Sequence, residues 1–106
     1  MMIEPEDLTR DSFLEALNER VDALRLANVE VPLRLDQEVQ NAIGGSGKPF
    51  EHDLFRMAAV HLLDGLDPEM ADEDGGVELL EERLCALPTN LSVSLRIAAE
   101  RHEQHV

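Results

Sequence analysis

The chain has 106 residues, and its 23 acidic side chains against 9 basic ones give a net charge of -14. A length in the range of about 100–150 residues is typical of one domain, so we expect residues 1–106 to form a single domain and exclude a multidomain enzyme. One Cys excludes a disulfide scaffold. Without Trp or Tyr, the composition argues against a basic, aromatic surface for nucleic acid, and we expect no direct nucleic-acid binding.

The N-terminal stretch lacks the pattern of a signal peptide. Residues 1–7 are acidic and contain a proline, whereas a signal peptide begins with basic residues and continues with an apolar stretch. The longest nearly apolar run, residues 57–63, contains His61, and a bilayer span needs about 20 apolar residues. We therefore expect a soluble, cytoplasmic protein that does not bind membranes.

The first predicted helix runs to Ala27 and is capped by Asp11 or Ser12. Ser12 and Glu15 fit the spacing of a capping box. Apolar side chains then recur at spacings of three and four residues, at Leu14, Leu17, Val21 and Leu24. This spacing predicts an amphipathic helix that buries one face.

The next stretch, residues 29–35, has two interpretations. Apolar and polar residues alternate as in a strand, although Pro32 restricts such a strand to a sheet edge. Alternatively, Pro32 is the first residue of a helix. We expect a short extended entry and then a helix from Asp36, its cap, to Ile43, which the glycine-rich residues 44–47 end.

The third predicted helix begins at Pro49 or Phe50 and ends before Asp64. Its apolar residues cover most of the helix circumference, and they are Phe50, Leu54, Phe55, Met57, Ala58, Ala59, Val60, Leu62 and Leu63. A helix that is apolar nearly all round belongs in the middle of a bundle, so we expect this helix at the centre.

The last third of the sequence predicts two more helices. A helix from Val77 to Leu87 is followed by a turn at residues 88–90 and a final helix from Leu91 to Gln104. Residues 91–97 also alternate as a strand would, so they could form a minor two-stranded ribbon with residues 29–35. The predicted fold is a single acidic, all-α domain, a compact orthogonal bundle of about five short helices, with which a homodimer is compatible.

Residues 64–82, called the acidic segment below, carry nine acids and no Lys or Arg. The acids are Asp64, Asp67, Glu69, Asp72, Glu73, Asp74, Glu78, Glu81 and Glu82. Residues 67–69 can start one helical turn, which the glycines at 75 and 76 break. The spacing of the acids does not fit the ligand frame of a calcium-binding EF-hand loop, and we expect neither a metal nor a cofactor.

Two functional interpretations of the acidic segment are open: a solvated loop that aids solubility, and a surface that docks on a basic partner. No catalytic constellation is recognisable, and carboxylates near Cys85 disfavour a reactive thiolate, so we expect no enzyme. Immunity proteins, antitoxins and phage-encoded inhibitors resemble this chain in small size, acidity and helical build. We therefore expect a protein-binding inhibitor or regulator whose basic partner is a nucleic-acid-handling enzyme. We expect charge complementarity here, because a glycine-flanked loop cannot hold the fixed spacing that imitation of DNA phosphates needs.

A second resemblance supports an alternative function. Residues 29–35, then 36–39, a glycine turn and residues 51–59 resemble a ribbon–helix–helix DNA-binding unit. In that family two chains pair their ribbons and insert them in the major groove. The resemblance implies a dimeric transcriptional regulator or antitoxin that reads DNA with Arg34 and its neighbours.

Overall fold

The computed structural model describes residues 5–44 and 48–104, and within these ranges it contains four α-helices and no strand. The helices are α1 (Arg10–Leu26), α2 (Leu35–Ile43), α3 (Asp53–Asp64) and α4 (Gly76–Gln104). Short 3-10 helices lie at Pro5–Asp7, Lys48–Glu51 and Pro68–Asp72. The all-α class is confirmed, whereas the expected count of five helices is wrong, and so is the ribbon.

Helix α1 begins before the predicted cap. Thr9 is the N-cap: its hydroxyl oxygen accepts a hydrogen bond from the Ser12 backbone N–H at 3.1 Å, and the Thr9 N–H donates to Ser12 Oγ at 2.8 Å. This is a reciprocal capping box with Ser12 at its third position. The helix ends through Asn28, whose φ of 64° is the left-handed conformation that Asn tolerates at a helix end.

Helix α4 is one continuous helix of 29 residues, where the sequence predicts two helices and a turn at residues 88–90. Pro88 lies inside it and cannot donate a backbone hydrogen bond to the preceding turn. The helix continues because its buried side chains form an unbroken stripe past the proline, at Leu80, Leu84, Leu87, Leu91 and Ala98. Burial of each leucine contributes about 1.5–3 kcal/mol, which together outweighs the cost of one internal proline.

Helices α3 and α4 together form the middle of the bundle. Helix α3 packs against α1, α4 and the 3-10 helices Pro5–Asp7 and Lys48–Glu51, and α4 packs against α2, α3 and the 3-10 helix Pro68–Asp72. Helix α3 buries only one face, at Phe55, Ala59 and Leu63, while Leu54 and Met57 are exposed. The expected position of α3 among several packed elements is therefore found, but its apolar circumference is not buried all round.

The segments that lead into α2 and α3 are irregular. Residues 29–34 connect α1 to α2 without forming a strand, and α2 begins at Leu35 with Arg34 as its N-cap residue, so Asp36 is not the cap. Lys48–Glu51 forms a separate 3-10 helix before α3. Its Phe50 ring packs between those of Phe13 and Phe55, with centroids 5.8 and 5.3 Å away, which joins this turn to the core.

Candidate functional site

The acidic segment is folded against the rest of the protein. It runs from the last residue of α3 through the 3-10 helix Pro68–Asp72 into the first two turns of α4. The 3-10 helix packs against both α1 and α4. The expectation that the acids of residues 64–74 lie in a loop without fixed spacing is therefore wrong.

Apolar side chains anchor the segment between its charges. Leu66 is 1% exposed and belongs to the hydrophobic core. Met70 and Ala71, on the 3-10 helix, are half-buried against that core. Asp67 caps this 3-10 helix, because its Oδ1 accepts a hydrogen bond from the Glu69 N–H at 3.0 Å. Local capping and long-range burial together fix the backbone on which the acids stand.

Two arginines bind the backbone where the segment leaves α3. Arg83 Nη1 donates a hydrogen bond to the Gly65 carbonyl oxygen at 2.6 Å and lies 3.5 Å from Met70 Sδ. Arg20 Nη1, on α1, donates to the Leu66 carbonyl oxygen at 3.5 Å. The Gly65 and Leu66 carbonyl oxygens lie outside the α-helices, so they need hydrogen-bond donors from elsewhere in the protein. The two arginines provide these hydrogen bonds, and a bond from a charged donor is stronger than a neutral one. The arginines thereby use their donors on backbone atoms.

The two glycines before α4 are needed for different reasons. Gly75 has a φ of +75°, in the left-handed region that favours glycine. Gly76 is the first residue of α4, and a Cβ placed on it would overlap the carbonyl group of Met70. From the sequence, the pair is expected only to break a helix, and the structure shows that Gly76 lets the 3-10 helix approach α4 closely.

The nine predicted partner-binding acids divide into two groups. Three of them contact other parts of the protein: Asp64 pairs with Arg20 at 3.9 Å, Asp67 caps the 3-10 helix, and Glu81 Oε2 accepts a hydrogen bond from the Glu30 N–H at 2.9 Å. Glu81 therefore holds the connection between α1 and α2 on α4. These three carboxylates have roles within the fold.

The other six acids face solvent, and we call them the acidic surface: Glu69, Asp72, Glu73, Asp74, Glu78 and Glu82. Within the described residues, none of their side chains makes an ion pair or a hydrogen bond with another protein group. Glu78 and Glu82 are four residues apart on α4 and so lie on the same side of the helix. Arg83, the arginine nearest to these acids in sequence, donates to the Gly65 carbonyl oxygen and pairs with none of them.

Beside the acidic segment, a groove of about 350 Å³ opens between α1 and α3, lined by Glu15, Glu19, Arg20, Val60 and Asp64 among others. Its carboxylates are not arranged as a metal site. In residues 5–44 and 48–104, no group of three or more His, Cys, Asp or Glu side chains could hold a metal ion. This groove therefore adds carboxylates to the acidic region but forms no metal site.

Sequence reasoning missed Arg20, Arg83 and Gly76, the residues that fold the acidic segment. Arg83 is 18 residues from Gly65, and Arg20 is 46 residues from Leu66. No local pattern connects positions so far apart. The one available signal was Arg83 itself, the first basic residue after nine acids, at a helix position next to the buried Leu84.

Among the helices described, none is sufficiently long and apolar to cross a bilayer. Comparisons of the chain with protein families, with curated proteins and with solved structures find no match.

Proposed function

We propose that the protein is a small, non-catalytic binding module that docks its acidic surface on a basic protein and thereby inhibits or regulates it. The partner we envisage is a nucleic-acid-handling enzyme, whose positively charged cleft would be occluded. This role is of the kind that immunity proteins, antitoxins and phage-encoded inhibitors perform.

One observation carries the proposal: six carboxylates stand on a folded segment, and no basic side chain among the described residues neutralises them. Like charges at this density raise the free energy of the compact state by mutual repulsion. Arg20 and Arg83 nevertheless donate hydrogen bonds to backbone carbonyl oxygens of the segment, and the six carboxylates remain exposed to solvent. A basic partner would relieve the repulsion on binding.

The anchored backbone also favours binding. A mobile acidic loop would lose conformational freedom when it bound a partner, which weakens affinity. Here Leu66 is already in the core and Asp67 already caps the 3-10 helix, so Glu69, Asp72 and Glu73 are held before a partner arrives. We therefore favour the docking surface over a solvated loop that serves solubility alone.

The test compares two variants with equal loss of charge. One neutralises part of the acidic surface with Glu69→Gln, Asp72→Asn, Glu73→Gln and Asp74→Asn, and leaves the structural Asp64, Asp67 and Glu81 intact. The control neutralises four exposed acids outside it, with Asp7→Asn, Asp11→Asn, Glu38→Gln and Glu51→Gln. Proteins retained from host lysate by the wild type are identified by mass spectrometry, purified, and titrated calorimetrically against all three forms.

We expect the acidic-surface variant to bind at least about tenfold more weakly, a loss of about 1.4 kcal/mol, while the control binds like the wild type. Affinity of the wild type should fall steeply with added salt, because salt screens exposed charges. Equal affinity of both variants, or affinity independent of salt, would refute the proposal.

A gel-shift experiment separates this function from the ribbon–helix–helix alternative. That alternative needs a strand at residues 29–35, but in the structure residues 29–34 form an irregular connection and Leu35 begins α2. A docking module should not retard the DNA upstream of its own gene. Sequence-specific retardation that Arg34→Ala abolishes would favour the DNA-binding alternative.

A further inference from the structure

Residues 66–74, called the strap below, connect α3 to α4 and have a glycine at each end. The 3-10 helix of the strap, Pro68–Asp72, packs against α1 and α4. Gly65 precedes the strap, and Gly75 follows it with a φ of +75°. Small residues at the ends of an element often absorb the backbone rotations of a hinge, and glycine restricts those rotations least. The two glycines therefore allow the strap to move away from α1 and α4 as one unit.

Few contacts hold the strap in place. Leu66 is its only buried residue, and the two half-buried apolar side chains of its 3-10 helix pack against the core. The hydrogen bonds from Arg20 and Arg83 both reach carbonyl oxygens at residues 65 and 66, where the strap begins. Residues 72–74, at its other end, are all exposed. A segment with few buried contacts opens at a lower free-energy cost than the rest of a protein, so we expect the strap to open locally.

Docking of the strap brings charges of one sign together. The strap has no basic residue and carries five acids, which are Asp67, Glu69, Asp72, Glu73 and Asp74. The groove beside it and the first two turns of α4 carry six more, which are Glu15, Glu19, Asp64, Glu78, Glu81 and Glu82. Residues 15–20 and 64–83 contain only two basic side chains, Arg20 and Arg83. Within the described residues these arginines make one ion pair, Arg20 with Asp64. Repulsion therefore exceeds attraction where the strap meets the helices.

We propose that ionic strength controls the closure of the strap: repulsion among these carboxylates favours an open form, and salt shifts the strap toward the docked form. In the open form the acids of the strap lie farther from those of α1 and α4, so their repulsion is weaker. Salt screens exposed charges, with a screening length of about 30 Å at an ionic strength of about 0.01 M and about 8 Å at about 0.15 M. Screening therefore lowers the free energy of the docked form more than that of the open form.

The sign of this salt effect is opposite to that expected for binding of a basic partner. Salt weakens the attraction between the acidic surface and a positively charged protein, whereas in the free protein it weakens the repulsion between the strap and its neighbours. All measurements below use the protein without a partner. The inference therefore does not depend on the proposed function, and either can fail without the other.

Hydrogen exchange of the free protein measures the opening. The backbone N–H groups of Leu66, Met70 and Glu73 donate to the carbonyl oxygens of Leu63, Asp67 and Met70. Because a single helical turn is unstable on its own, these bonds break when the strap leaves the fold. Their exchange rates are measured at about 0.01 M and about 0.15 M NaCl, each relative to a synthetic peptide of residues 64–76 in the same buffer. The peptide corrects for the effect of salt on the chemical exchange itself.

We expect the protection of these three amides to rise at least about threefold between the lower and the higher salt concentration, because the docked form is then more populated. Amides in the middle of α2 serve as the internal reference. They should change less, because α2 carries only two acids, Asp36 and Glu38.

Two variants with equal loss of charge test the cause. One neutralises the strap with Glu69→Gln, Asp72→Asn, Glu73→Gln and Asp74→Asn, and its protection at low salt should reach that of the wild type at higher salt. The control neutralises four exposed acids elsewhere, with Asp7→Asn, Asp11→Asn, Glu51→Gln and Glu100→Gln. The control should retain the salt dependence of the wild type, whereas the neutralised strap should lose most of it. Each variant is referred to a peptide of its own sequence.

Three results would overturn the inference. The first is protection of the strap that stays constant or falls as salt is added. The second is an equal rise in α2, which would show that salt acts on the whole fold and not on the strap. The third is a neutralised strap that keeps the salt dependence of the wild type, since that dependence would then have another cause than its carboxylates.

Discussion

The two halves of α4 share one buried stripe and present different surfaces to solvent. In the first half, residues 76–87, acids crowd the exposed side, and the 3-10 helix Pro68–Asp72 packs on the helix with Arg83 bound to the Gly65 carbonyl. The second half, residues 89–104, begins with an uncharged exposed side and then carries charges of both signs, at Arg96, Glu100 and Arg101. Leu80 and Leu91 are equally buried in the two halves. One helix can therefore combine a continuous buried stripe with two exposed surfaces that differ in charge.

The contrast also concerns what holds each half in place. The first half depends on close backbone approach at Gly76 and on Arg83, features that tolerate little change. The second half follows Pro88 and relies on its buried apolar side chains, Leu91 and Ala98. Substitutions at Gly76, Arg83 and Pro88 should therefore act differently on the two halves.

The largest expected effect is Gly76→Ala in the first half. The new Cβ would overlap the Met70 carbonyl group, so the 3-10 helix must move away from α4. We expect the free energy of unfolding to fall by about 3 kcal/mol, measured by urea denaturation. The control is Gly65→Ala, where the added Cβ meets only ordinary contacts of 3.5 Å or more, and we expect a change within about 0.5 kcal/mol. Equal effects of the two substitutions would contradict the close approach.

A smaller effect of opposite sign is expected at the start of the second half. Pro88→Ala restores the backbone donor that the proline lacks, and Ala has the highest helix propensity. We expect the free energy of unfolding to rise by about 2 kcal/mol, less than the full cost of about 3 kcal/mol for an interior proline because proline also restricts the unfolded chain. If α4 were instead two helices with a turn at residues 88–90, the same substitution would give no stabilisation.

The smallest effect is expected for Arg83→Met. The side chain keeps its aliphatic length against Met70 and loses the hydrogen bond to the Gly65 carbonyl oxygen. We expect a loss of about 1.5 kcal/mol in chemical denaturation, within the range for a charged hydrogen bond. Hydrogen exchange at residues 66–73 should accelerate more than in α2. The exposed Arg34→Met is the control, and equal exchange in both variants would show that Arg83 does not hold the segment.

Local sequence signals predicted most of the helices well. The end of α1 at Leu26 and the end of α2 at Ile43 lie within one residue of the predicted limits, because apolar spacing and a following Asn or Gly mark them. The all-α class follows from the same spacing. The exact start of α1 was missed because Thr9, Asp11 and Ser12 are all good caps, and only the fold selects Thr9.

Signals that depend on tertiary packing were beyond prediction from one sequence. Pro88 is a strong local reason to end a helix, and the leucine stripe that carries α4 past it acts only when α2 and α3 pack there. Likewise, the charges and glycines of the acidic segment indicate a mobile loop locally. Leu66 and Arg83 reverse that conclusion through contacts with distant parts of the chain.

The direction of α4 has a consequence for motion in solution. With 29 residues at about 1.5 Å each, the helix nearly equals the longest dimension of the protein, 46 Å. The acidic segment sits at its first residues, while residues 83–106 carry a slight excess of positive charge. This separation contributes a component along α4 to the electric dipole moment of the molecule. In the electric field of a positively charged partner, the resulting torque would orient the acidic end of the protein toward that partner before the two surfaces touch.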